Sequence, residues 1–240
     1  MSSKDFLEYD KRFVFFIDIL GFKDLVEKSS KPKDIKQIID LLKEDFIVAN
    51  KKYDLQLAIT PVSDCIILSF KNEAKFILHF ILYIISYVQA NAIAKYGLLF
   101  RGAGTFGDMI HNEEYQFGRA YQHAYHLETE FAIYPRVILE KKLINSLNNE
   151  EKESCLELLK EDGDFYYIDF INNELISDES PDNKRDFFNK CKKIIEKRIV
   201  HAEKNLKKYY WLRDCFNETI QVFNKDIDIN LRIDEIKKGL

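Results

Sequence analysis

The segment Phe13–Ile19, FVFFIDI, carries apolar side chains on both faces and one carboxylate near its end. Such a run must be covered on both sides, so it predicts a strand at the centre of a sheet. Gly21 breaks it, and residues 22–28 follow as a short helix. Pro32 stands where a helix can begin. Ile35, Ile38, Ile39, Leu42 and Phe46 then recur at helical spacing and predict an amphipathic helix over 33–50. Two strand-like runs, 55–59 and 65–70, flank Thr60-Pro61-Val62-Ser63-Asp64, which reads as a hairpin with Asp64 at or just after its turn.

Residues 76–94 contain no charge and are flanked by Lys75 and Lys95. That length could cross a bilayer. His79, Ser86, Gln89 and Asn91 are polar, however, and the flanking charge is symmetric, so a buried core or interface helix is expected instead. A strand over 97–109 and a polar loop follow. Residues 118–130 read as a helix with Ala120, Ala124 and Leu127 as its inner stripe. A short strand at 137–139, a charged helix over 141–160, a turn at Asp162-Gly163-Asp164 and a strand over 165–170 complete this part. Residues 182–240 lack proline and read as one long amphipathic helix or a tight pair. The order of elements predicts an α+β fold with helices on one face of a sheet, not a doubly wound nucleotide fold.

A net charge of −4, from 36 basic and 40 acidic residues, gives no general attraction for nucleic acid. Cys65, Cys155, Cys191 and Cys215 are scattered without a CxxC pair, as expected of reduced thiols in a cytosol. The first residues, MSSKDFLEYDKR, carry no apolar signal region. A cytoplasmic protein that engages neither membrane nor nucleic acid is expected.

Only eight glycines occur, and Gly97, Gly102, Gly104, Gly107 and Gly118 fall in one window. Gly102 to Gly107 match G-x-G-x-x-G formally, but Asp108 to Glu113 make a poor helix start. A dinucleotide loop needs that helix at once, and the companion motifs of a kinase are absent. Two aspartates carry more information. Asp18 ends the apolar strand, and Asp64 lies in a hairpin expected beside that end. Either each caps its own turn, or the two converge and suit Mg²⁺ or Mn²⁺, which prefer oxygen donors.

Phe16-Ile17-Asp18-Ile19-Leu20-Gly21-Phe22 resembles the first metal motif of class III nucleotidyl cyclases, and Val62 to Phe70 resembles the second. Arg101 to Gly107 is similar to their Arg-containing, Gly-ended strand, and Gly118 to Glu128 to their helix motif. The four motifs stand in order over about residues 12–140. The resemblance implies a ferredoxin-like palm over 1–180 and a long C-terminal helical extension over 181–240. It implies two metal ions, Mg²⁺ or Mn²⁺, on Asp18, the Ile19 carbonyl and Asp64. It implies a nucleoside triphosphate beside Ile19, Gly21, Phe22, Thr60, Arg101, Tyr121 and Tyr125. It also implies a homodimer with its sites between subunits. The glycine window then reads as room for a nucleotide and a second subunit.

Departures from the motifs narrow the substrate. Purine cyclases carry a base-reading Lys where Thr60 stands. Gln122 occupies the place of a ribose-orienting Asn, and His126 that of a transition-state Arg, for which Arg119 or Arg101 could substitute. Tyr121 and Tyr125, four apart on one helical face, either pack or contact a base. Gly-x-Ala-Tyr-x-x-Ala-Tyr-x-Leu-Glu, followed by Tyr134-Pro135-Arg136-Val137, resembles the bacterial pyrimidine cyclases of Pycsar anti-phage systems. So does the Asp162–Phe170 strand with a helical tail containing Trp211 and Asn217. That branch implies UTP, or else CTP, as substrate and a cyclic product that acts on a separate effector protein. The alternatives are a purine cyclase and an inactive nucleotide-binding module.

Overall fold

The computed structural model describes residues 8–22, 26–27, 31–53, 56–172, 181–202, 206–223 and 231–235. The FVFFIDI run lies in β1 (Asp10–Leu20), which pairs antiparallel with β3 (Cys65–Lys71) on one side and β4 (Leu99–His111) on the other. Its side chains alternate between two apolar layers. Phe13, Phe15, Ile17 and Ile19 enter the main core, while Val14 and Phe16 enter a smaller core on the opposite face. Burial on both faces is what the composition of the run demanded.

Strands β2 (Ala58–Val62), β3, β1 and β4 lie in that order, all antiparallel. Helix α1 (Pro32–Tyr53) joins β1 to β2, and α2 (Ile77–Asn91) joins β3 to β4. This β-α-β-β-α-β path with the first strand inside is the ferredoxin-like palm expected for the α+β class. Strand β6 (Val137–Glu140) adds parallel to β4, and β8 (Phe165–Ile168) and β7 (Leu159–Asp162) extend the sheet as a hairpin. A two-residue strand, β5 (Gln116–Phe117), pairs with the end of β4.

Ile77–Tyr96 is long and apolar enough to cross a membrane, but most of it is buried against the sheet. Ile81, Leu82 and Ile85 are fully enclosed beside Phe15 and Ile17. Each such side chain contributes about 1.5–3 kcal/mol when buried, so the polar interruptions mark a core helix. In α1, Phe46 is buried and Ile39 packs on the core; the side chains of Ile35, Ile38 and Leu42 lie outside the described residues. Of the short helix at 22–28, residues 22, 26 and 27 are described and are helical.

Four expectations are corrected. The helices do not share one face: α3 (Arg119–Phe131) covers the other, with Ala120 and Ala124 against Val14, Phe16, Ile67 and Met109. The charged 141–160 segment is not one helix. It divides into α4 (Lys141–Asn145), α5 (Asn149–Leu156) and β7. The Asn148 side chain caps α5 by accepting the Glu151 N–H at 3.0 Å, and pairing with β8 takes the last residues into the sheet. The first hairpin strand runs to Val62 and includes Pro61, which is tolerated because β2 is an edge strand. Of the two forms left open for the C-terminal region, the structure shows the pair of helices, α6 (Pro181–His201) and α7 (Leu206–Phe223), whose Phe188, Ile195, Leu212 and Phe216 join the main core.

The fourth correction concerns the glycines, which make room inside the chain itself. A Cβ on Gly102 would stand 2.5 Å from the Phe16 carbonyl oxygen, and one on Gly104 would stand 2.4 Å from the Phe15 ring. Glycine at both positions lets β4 lie against β1 and its phenylalanines. Gly104→Ala is expected to cost about 1–3 kcal/mol by overpacking. Gly107→Ala, where the new Cβ meets Ala120 at an ordinary 3.4 Å, should stay within about 0.5 kcal/mol. Urea unfolding of both variants measures the difference.

Candidate active site

The apolar cover of β1 ends at Asp18. There the Ile19 N–H donates to the Asp64 carbonyl at 2.9 Å, tying the end of β1 to the β2–β3 turn. Asp18 also stands opposite Cys65 on β3 and Arg101 on β4. Carboxylate oxygens of Asp18 and Asp64 and the Cys65 sulfur all lie within 4.8 Å of one another. The two aspartates therefore converge. Two hard oxygen donors fit Mg²⁺ or Mn²⁺. The thiol fits such ions poorly: burial, then the charges of Asp18 and Asp64, push its pKa well up. It stays protonated as a weak donor, 3.9 Å from Asp18 Oδ1 and 3.8 Å from Asp64 Oδ1. Ile19 can contribute only through its backbone, since its side chain is buried in the main core.

Arg101 meets the same cluster. Its Nε–H donates to Asp18 Oδ2 at 2.7 Å, and Glu128 Oε1 lies 2.9 Å from the same nitrogen. Nε carries one hydrogen, which is aimed at Asp18, so the buried Glu128 oxygen has the charge beside it but no hydrogen bond. Burial raises the Glu128 pKa, and the Arg101 charge pulls it back down. Glu128 is the last residue of the Leu-Glu pair in the helix motif, a position to which the sequence assigned no role. Lys208 of α7 is a second addition. Burial and then the Arg101 charge lower its pKa, while Asp18 and Glu128 act in the opposite sense.

The remaining predicted residues divide by face. Tyr121 and Tyr125 both pack against Phe16, at 6.0 and 5.3 Å between ring centroids. Tyr121 packs with Cys65 on the smaller core, and burial, followed by the nearby Cys65, raises its phenol pKa, whereas Tyr125 is half-exposed. Arg119, Gln122 and His126 are exposed on the outer side of α3 and do not meet Asp18 or Asp64 within the chain. His126 lines an open cleft of about 560 Å³ with His123, Phe131, Glu140 and Phe165. Gly21 turns with φ of +80°, and the Phe22 side chain is buried in the main core. Arg136 is buried among Tyr134, Tyr167 and Trp211 and donates to Asp162 at 2.5 Å.

Thr60 belongs to a buried polar chain that the sequence did not reveal. Arg12 Nε donates to Ser69 Oγ at 2.7 Å, Ser69 Oγ lies 2.8 Å from His111 Nδ1, and His111 Nε2 lies 3.0 Å from Thr60 Oγ1. Burial, then the Arg12 charge, lowers the His111 pKa to about 4, so the ring is neutral at pH 7. Its four members come from four different strands, which is why spacing along the chain gave no sign of them.

Removing Arg101 leaves two buried carboxylates without their cation. Arg101→Met is expected to lose about 3 kcal/mol at pH 7. The Glu128 pKa is already raised by burial, and without the arginine's opposing charge it rises further above its unfolded value. That penalty is fully present at neutral pH and disappears as pH falls below the unfolded carboxylate range. Thermal melts of both proteins between pH 7 and pH 4 should therefore converge towards the acid end.

No protein-family model matches the chain, and no curated protein matches it. Solved structures do. The adenylyl cyclase CyaB from P. aeruginosa is 14% identical over 67% of this chain and 94% of its own, with a TM-score of 0.44. The dimeric guanylyl cyclase domain of the RhoGC fusion protein from the aquatic fungus Blastocladiella emersonii is 12% identical over 67% and 94%, with a TM-score of 0.49. The guanylate cyclase domain of RhGC from Catenaria anguillulae, in complex with GTP, is 12% identical over 67% and 97%, with a TM-score of 0.48.

Proposed function

We propose that the chain is a metal-dependent nucleotidyl cyclase that converts a pyrimidine nucleoside triphosphate, UTP or CTP, to its 3′,5′-cyclic monophosphate and pyrophosphate. The convergence of Asp18 and Asp64 at one end of a ferredoxin-like sheet carries this reading. Asp18, Asp64 and the Ile19 carbonyl would hold two divalent ions, Mg²⁺ or Mn²⁺, which when bound would supply Lewis acidity to the ribose 3′-hydroxyl and positive charge to the triphosphate. The 3′-oxygen attacks the α-phosphorus in line, the bond to the β-phosphate bridge breaks, and the hydroxyl proton leaves to solvent. Arg101 holds Asp18 in place at 2.7 Å and keeps positive charge beside the α-phosphate. Gly21 and Phe22 offer backbone N–H groups to the phosphates.

Thr60 in place of a base-reading lysine supports a pyrimidine over a purine. The outward exposure of Arg119, Gln122 and His126 on α3 supports a homodimer in which each subunit completes its partner's site. Tyr121 and Tyr125 flank the base from the same helix. The resemblance to the Pycsar branch supports a role in bacterial phage defence in the cytoplasm, with the cyclic product acting on a separate effector protein.

A second reading has its own observation. Arg101 already neutralises Asp18 within the chain, and His126 replaces a permanent cation. Both suit a module that binds a nucleotide without turning it over.

Incubation with each of the four NTPs and Mn²⁺, with products identified by mass spectrometry, separates these readings. Cyclic UMP or cyclic CMP is expected; cyclic AMP or cyclic GMP alone would overturn the pyrimidine assignment. Asp18→Asn and Asp64→Asn should each lower turnover about a hundredfold or more, roughly 3 kcal/mol of transition-state stabilisation, with the fold retained by circular dichroism. Stabilisation by an NTP with no release of pyrophosphate would favour the binding module.

A further inference from the structure

The buried polar relay from Arg12 to Thr60 has a direction, and its hydrogens fix it. Arg12 has no lone pair to offer, so its Nε–H donates to Ser69 Oγ, at 2.7 Å. Its Nη2 also holds the Gln56 and Ser69 carbonyls, at 2.8 and 3.1 Å, which keeps the guanidinium in place. Ser69 is fully buried, and among the described residues the one acceptor that meets its hydroxyl is His111 Nδ1, at 2.8 Å. A ring hydrogen on Nδ1 would leave the Ser69 O–H buried and unpaired, which is costly. The His111 hydrogen therefore stands on Nε2 and is donated to Thr60 Oγ1, at 3.0 Å. Thr60 accepts there, so its own hydroxyl hydrogen is unspent. Thr60 is partly exposed, and its hydroxyl has no other partner among the described residues. The relay begins at a buried cation and ends near the surface in a hydroxyl set up to donate.

Position gives this donor a use. Thr60 stands opposite Ile67, and Ile67 opposite Phe16, so the three share the face that α3 covers. The next row on that face is Val62, Cys65 and Asp18. Two residues of strand separate the rows, about 7 Å. That is roughly the reach from a nucleotide's α-phosphate across the sugar to a pyrimidine ring. A base directed along β2, away from the aspartates, presents to Thr60 its 4-substituent, which lies opposite the glycosidic bond. Uracil carries a keto oxygen there, and cytosine an amino group. The keto oxygen pairs with the Thr60 O–H. The amino group could use only the last lone pair of Oγ1, and it would shut the hydroxyl hydrogen away from any acceptor.

We infer that Thr60 donates its hydroxyl hydrogen to the 4-keto oxygen of uracil, so that the site takes UTP in preference to CTP; the inference rests on the cyclase reading and names the base within it. Thr60 is the binding residue. His111 is a positioning residue, held in one tautomer by Ser69 and Arg12, and it acts on the substrate only through the Thr60 hydroxyl.

Two measurements on the full chain test this. One is steady-state kinetics with UTP and with CTP in Mn²⁺. The other is calorimetric titration with the 3′-deoxy analogues of both, which lack the attacking hydroxyl. The wild type is expected to favour the uracil nucleotide about tenfold or more in kcat/KM and in affinity. Thr60→Val keeps the branched shape that suits a strand and removes the hydroxyl. It should bring the ratio to within about threefold of unity, mainly by raising KM for UTP. Thr60→Ser keeps the hydroxyl and should keep the preference. His111→Phe should lower the ratio with the Thr60 hydroxyl still present, whereas a ring that merely packs would leave it unchanged. Thr60 lies on an edge strand and is partly exposed, so its variants keep the test open if His111→Phe fails to fold. If a pyrimidine nucleotide is cyclised but the wild type treats UTP and CTP alike, favours CTP, or keeps its ratio in Thr60→Val, the inference falls and the cyclase reading stands. If no NTP is cyclised, yet the uracil analogue binds more tightly and Thr60→Val removes the difference, the base contact stands and the cyclase reading falls. Cyclisation of purine nucleotides alone would also overturn the inference.

Discussion

A strand buried on both faces can carry charge only where its cover ends. β1 is apolar through Ile17, and its C-terminal carboxylate, Asp18, stands at the edge of the packed layers, still largely buried. Placing a carboxylate there needs a cation, and the antiparallel register supplies one by setting Arg101 directly opposite. That single pairing organises the neighbourhood. The same register brings Cys65 across from Asp18 and the Asp64 turn onto the Ile19 N–H. The covering helix α3 brings Glu128 to the other side of the arginine.

The cluster is therefore a balance of charges around one guanidinium, not a pair of free acids. Asp18 and Glu128 compete for a nitrogen with one hydrogen, and Asp18 holds it. In the proposed cyclase, metal charge on Asp18 competes with Arg101 for that carboxylate, and Glu128 stands ready to take the arginine's bond. A site of this kind tolerates gain and loss of positive charge without leaving a buried carboxylate alone, which would cost several kcal/mol.

Asp18 and Asp64 were legible because local chemistry marks them: an acid at the end of a doubly apolar strand, and an acid in a Pro-containing hairpin. The partners were not. Arg101 was marked by its motif, but its pairing with Asp18 and the approach of Glu128 to the same nitrogen arise only through strand register and helix docking. The Arg12–Ser69–His111–Thr60 chain is invisible for the same reason. The glycines of β4 misled because absence of a side chain does not say which neighbour needs the space. Phe15 and the β1 backbone fill it here, as a ligand could fill it elsewhere. The 141–160 segment misled because charged residues of good helix propensity say little about which of them a neighbouring strand will recruit.

The sequence by itself determined the central strand, the core helix α2, the α+β order of elements and the places of the two aspartates at a strand end and a hairpin turn. Each depends on hydrophobic period or on turn chemistry, and both act over a few residues. Tertiary structure alone decided that the two aspartates converge, which face α3 covers, which cation neutralises Asp18, and that α6 sets Arg198 on the Gly97 carbonyl just before β4. Those are long-range juxtapositions, set by the packing of whole layers, and no local rule of spacing encodes them.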